Sequence, residues 1–122
     1  MKELEIDLAG TRRVFAPGDE IRGETTWRLD SAPESLELRL FWYTEGKGDQ
    51  DVAIAAREVV TSPGREGNRE FELAVPAGPL TFSGKLISLV WALELVALPS
   101  GPTERVEIVV STTGYEIRID GV

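Results

Sequence analysis

Apolar and polar residues in this chain alternate with a period of two, and no segment carries a 3.6-residue apolar stripe. Leu4, Ile6 and Leu8 alternate with Glu3, Glu5 and Asp7. Ile21, Gly23, Thr25, Trp27 and Leu29 oppose Arg22, Glu24, Thr26 and Arg28, and Leu36, Leu38, Leu40 and Trp42 oppose Glu37, Arg39, Phe41 and Tyr43. The same rhythm returns around Phe71–Val75, Val106–Val110 and Tyr115–Ile119. Successive side chains of an extended strand point to opposite faces, so each run sets one face on a core and the other in water, as antiparallel sheets do. The pattern predicts strands near 3–8, 20–29, 35–45, 52–61, 69–75, 84–98, 103–111 and 114–119.

The residues between these runs are turn-formers. Ala16-Pro17-Gly18-Asp19 suits a type II turn, with Pro17 presetting φ and Gly18 accepting a positive φ. Gly46-Lys47-Gly48-Asp49 reads as a hairpin loop, and Ser62–Asn68, Pro76–Pro79 and Pro99–Pro102 as further turns. Short strands with regular turns and no helices predict an all-β sandwich or barrel; of the two, the expected fold is an immunoglobulin-like antiparallel β-sandwich. At 122 residues, with no linker, repeat or low-complexity tract, the chain is expected to be a single domain over 1–122.

Composition narrows the chemistry. Asp and Glu total 21 against 13 Lys and Arg, a net charge of −8, which opposes nucleic-acid binding and docking on anionic lipid. With no cysteine and no histidine, disulfides, thiolate nucleophiles, Ser-His-Asp triads and His or Cys metal sites are excluded. No cofactor and no metal is expected. The longest apolar run, Leu86–Leu98, is broken by Glu94 and too short to span a bilayer. The opening residues carry acids where a signal peptide has an apolar core. The sequence reading therefore expects a cytoplasmic protein, bacterial in character, without membrane insertion.

Two strands depart from clean alternation. The nominal outer face of 35–45 carries Phe41 and Tyr43, and that of 84–98 carries Val90 and Glu94 among other largely apolar residues. Either loops or a neighbouring strand cover these side chains, or they form an apolar patch for a partner or for self-association. Glu94 either discourages edge pairing or meets a cation of a partner. Phe41, Tyr43, Val90 and Glu94 are the candidate partner-binding residues.

Other constellations favour plain structural readings. Asp49 and Asp51 are closely spaced, but their loop lacks the glycine and terminal glutamate of an EF-hand. Ser83 and Lys85 share a strand face without an identifiable oxyanion hole. Paired carboxylates are numerous, yet most fall in outward registers, where solvation is the ordinary state.

Three segments in order resemble the arrestin-like fold family. Phe15-Ala16-Pro17-Gly18-Asp19-Glu20-Ile21-Arg22-Gly23 is similar to its aromatic-x-Pro-Gly-acidic turn leading into a strand. Phe71–Pro79 looks like its strand ending in Pro, a small residue, Gly and Pro, and Thr81–Leu93 resembles its Ser-aromatic-x-Gly entry to a long strand with a central aromatic residue. The resemblance covers about 4–111; residues 112–122 lie beyond it, as an extra strand of this chain's own sheet or of another copy's, or as a tail. Pro17-Gly18 and Gly84 also have local reasons as turn and bend, and Gly23 leaves room on its strand, at a bulge. Arrestins proper carry two sandwiches joined through a buried charged cluster, and arrestin-related adaptors use Pro-Pro-x-Tyr motifs. This chain has length for one sandwich and no such motif. The resemblance thus implies a general role, a non-catalytic surface for other proteins. The expected function is a protein-interaction or scaffolding module whose partner is another protein or a second copy. A small-ligand or carbohydrate-binding sandwich is the alternative, and an enzyme working by carboxylates alone is a third reading.

Overall fold

The computed structural model describes residues 2–46, 50–84, 86–112 and, as backbone, 117–119. The strands are β1 (Leu4–Leu8), β2 (Val14–Phe15), β3 (Glu20–Arg28), β4 (Ser35–Gly46) and β5 (Val52–Thr61). They continue as β6 (Glu66–Ala74), β7 (Phe82–Gly84), β8 (Ile87–Leu98), β9 (Thr103–Val110) and β10 (Ile117–Ile119). A short 3₁₀ turn, Ala9–Thr11, follows β1.

The smaller sheet runs β1-β3-β6, antiparallel throughout. In the larger sheet β5, β4 and β8 lie side by side, and β7 and β9 share the far edge of β8. The inward residues of both sheets form one core, in which Ile21, Leu40, Trp91, Leu93 and Val110 lose all exposure. The alternation read from the sequence therefore assigns the faces correctly, and the fold is a two-sheet β-sandwich. Two short pairs depart from the all-antiparallel expectation. β2 runs parallel to β9 through Val14↔Val109, and β10 runs parallel to β7 through Ile117↔Phe82. Both join strands brought together by long connections rather than hairpins, which alternation within a strand cannot reveal. At least 117–119 thus extend this chain's own sheet.

The Pro17-Gly18 turn forms as expected. Gly18 has φ 89°, the Asp19 N–H donates to the Ala16 carbonyl at 3.0 Å, and the Asp19 carboxylate accepts from the Ala16 N–H at 2.8 Å. That bond and the Arg12 guanidinium hold the Asp19 carboxyl below its ordinary range. Gly23 sits at no bulge. It is in register between Leu8 and Phe71, where a Cβ would lie 2.3 Å from the Asp7 carbonyl, so close approach is its reason. The expected strand 84–98 corresponds to β8, which begins at Ile87, while Gly84 ends the separate strand β7.

The turn expected over Ser62–Asn68 is shorter than its composition suggests, because β6 begins at Glu66 and pairs with β3 as far as Arg28. Gly67 makes this possible. It lies opposite Trp27, where a Cβ would come within 2.7 Å of the indole ring. Gly67→Ala is expected to cost about 1 kcal/mol, because the ring can shift only against a packed core. A lowered urea midpoint at unchanged m checks this; an unchanged midpoint would show that the ring moves freely.

Candidate interaction surface

The outward residues of β4 are Glu37, Arg39, Phe41 and Tyr43, facing Val96, Glu94, Ala92 and Val90 of β8 in register. All four sequence candidates therefore share one sheet face. On the other side of β4 the register with β5 shifts between Leu40 and Phe41, leaving Ala55 as an extra residue. This bulge decides the surface. Leu40 pairs with Ala56, but Phe41 pairs with Ile54 and Tyr43 with Val52. Without the extra residue Ile54 would pair with inward-facing Trp42, since a one-residue slip exchanges the faces of a strand. With it, Val52 and Ile54 stand outward, 63% and 43% exposed.

Phe41 itself is buried, at 7% exposure, while Tyr43, Val90 and Glu94 are partly buried. The cover is neither a loop nor an adjacent strand's backbone. It is the Arg105 side chain of β9, whose guanidinium carbon lies 5.0 Å from the Phe41 ring centre and 5.4 Å from that of Tyr43. The two rings stack at 5.8 Å and 23°. An arginine so placed gains cation–π attraction and covers apolar area with its stem. Its head is held by Glu94 at 2.9 Å, which raises the Arg105 guanidinium above its ordinary range.

Glu94 guards no edge, because β8 is paired on both sides. It belongs instead to a ladder of alternating sign across the sheet. Arg57 approaches Glu37 at 3.6 Å, Arg39 bonds Glu37 and approaches Glu94 at 3.7 Å, and Arg105 closes the row on Glu94. Beside the ladder, Arg39, Phe41, Tyr43, Gln50, Val52, Ile54, Glu94 and Arg105 line an open groove of about 360 Å³. The sequence reading missed Arg105, Val52 and Ile54. The first needs the β8–β9 register, and the others need the bulge, whose one mark in the sequence is the small pair Ala55-Ala56.

The two outer faces differ electrically. That of the smaller sheet carries Glu3, Glu5, Asp7, Glu20, Glu24, Glu66, Glu70 and Glu72 against Arg22 and Arg28. Asp7, Glu24 and Glu70 stand directly abreast on its three strands. That of the larger sheet is near balance, with Glu37, Glu45, Glu94 and Glu107 against Arg39, Arg57 and Arg105. Most of the chain's net charge therefore lies on the smaller sheet.

Asp49 and Lys85 lie outside the described residues, so neither the Asp49/Asp51 nor the Ser83/Lys85 pair is described as a pair. Among the described residues no group of three or more carboxylates is placed to hold a metal ion, and no helix is long and apolar enough to cross a membrane.

No protein-family model matches the chain, and no match to it is found among curated proteins. Among solved structures it is similar to Spo0M, a sporulation control protein from Bacillus subtilis. That likeness has a TM-score of 0.66 at 18% identity and covers 90% of this chain. It covers 49% of the other chain, so this chain spans about half the length of that protein. The likeness shows the fold, which is arrestin-like.

Proposed function

We propose that this chain is a non-enzymatic protein-interaction or scaffolding module of arrestin-like type. It acts as a single sandwich over 1–122, and a cytoplasmic setting is part of the same proposal. Its docking surface is the outer face of the larger sheet, with Tyr43, Val90 and Glu94 at the surface and Phe41 as the base on which Arg105 rests. The observation that carries this reading is the exposed pair Val52 and Ile54, with the half-buried Tyr43 next to them, beside a row of alternating charges. An apolar centre rimmed by paired charge is the anatomy of a protein contact. The fold supports a binding role, because arrestin-like sandwiches are generally non-catalytic. Protein contact is favoured over sugar stacking because Arg105 occupies the outward side of the Phe41–Tyr43 pair, leaving no free aromatic platform there.

Affinity capture from a bacterial lysate tests the reading. The bait would be the wild type beside a folded Tyr43→Glu, Ile54→Glu variant. Proteins retained by the wild type and lost by the variant are the expected result. Identical retention by both would remove this face as the docking surface, and so would none by either from a protein that also stays monomeric.

A further inference from the structure

We propose that the chain forms a two-fold dimer through the outer face of the larger sheet, with the Tyr43, Val52 and Ile54 strip of each copy packed on the other. The inference rests on the proposed function and deepens it, by naming the partner as a second copy of this chain.

The distribution of charge selects that partner. A basic protein is steered to the acidic face of the smaller sheet, away from this one. The larger sheet suits a surface that is apolar and balanced, as it is itself. A two-fold contact requires a self-complementary patch, and a row in which guanidinium and carboxylate alternate supplies both signs to both copies. Face-to-face docking also sends the like charges outward. Sheets stack about 10 Å apart, so the acidic faces of such a dimer stand about 30 Å from each other, roughly three Debye lengths at 0.1 M salt.

The area is sufficient for a reversible dimer. Four strands about 4.8 Å apart and about nine residues long present on the order of 550 Å² of projected surface. Two copies then bury about 1,100 Å², just above the roughly 1,000 Å² that a specific contact needs. The dimer is therefore expected to dissociate on dilution.

Sedimentation equilibrium from low micromolar to several hundred micromolar tests it, on the wild type and on Ile54→Glu, Tyr43→Glu and Glu70→Arg. The wild type should pass from 13.4 kDa to twice that mass. Ile54→Glu and Tyr43→Glu should raise the dissociation constant at least about tenfold. Glu70→Arg, on the far sheet, should leave it unchanged. Circular dichroism confirms that each variant is folded, and Val52→Glu, at a 63% exposed position, replaces one that is not. A wild type that stays at 13.4 kDa throughout overturns the proposal. So does a dimer broken by Ile54→Glu but not by Tyr43→Glu, which would mean pairing along the β5 edge. A monomer that still captures a lysate protein through this face overturns the dimer and leaves the interaction module standing; a monomer that captures nothing overturns both.

Discussion

Trp91→Ala should remove about 3–5 kcal/mol of stability, the largest loss expected from a single side chain in this molecule. Trp91 has no exposed surface and sits mid-strand in β8, between Trp42 of β4 and Ile108 of β9. Truncation leaves a cavity where two strands and the facing sheet meet, with little freedom to collapse. It also orphans the Pro79 carbonyl, which accepts from the indole Nε1 at 2.7 Å. Domains of this kind hold about 5–15 kcal/mol in all, so the variant should be barely folded at room temperature. A gentler pair of changes separates the hydrogen bond from the packing. Trp27 is also buried, but its Nε1 finds no acceptor among the described residues. Trp27→Phe therefore gives up packing alone, whereas Trp91→Phe gives up packing and a bond. The second should cost about 1 kcal/mol more than the first by urea denaturation. Equal costs would mean that the Pro79 bond adds nothing net.

What could be read from the residues divides along a physical line. Which way a side chain points is local, and Leu4, Ile21, Leu36, Leu40, Leu93 and Ile108 announce it by alternation. Which strand lies beside which is not local. Glu94 looks like a guard on an edge until the structure sets Arg39 on one side and Arg105 on the other. Phe41 looks like an exposed aromatic until Arg105, displaced by two strands, lies over it. The Ala55 bulge is the extreme case. One residue without a side chain of consequence decides whether Val52 and Ile54 face core or solvent, and its small size alone does not fix the register. Candidate residues on a strand are thus legible as a face, while their exposure and partners depend on register.

The charge ladder should respond to substitution unevenly, and that unevenness tests whether it organises the face. Arg39→Met is expected to cost about 2 kcal/mol, below the 3–5 kcal/mol of a fully buried pair because the Arg39 side chain is 28% exposed. Its loss leaves the Glu37 carboxylate, 8% exposed, with Arg57 alone at 3.6 Å. Glu37→Met should cost much less. It leaves Arg39 beside Glu94 and returns Arg57, 56% exposed, to water. The double variant should recover most of what Arg39→Met loses, because the charge that could not be solvated goes with its partner while the Glu94–Arg105 pair stays whole. The four proteins form a double-mutant cycle, read by urea denaturation, with a coupling of about 1–2 kcal/mol expected. Additive costs would mean that Glu37 and Arg39 stabilise the sheet independently. Arg105 would then be held over Phe41 by Glu94 alone, and the groove beside it would owe its shape to a single ion pair instead of to the row.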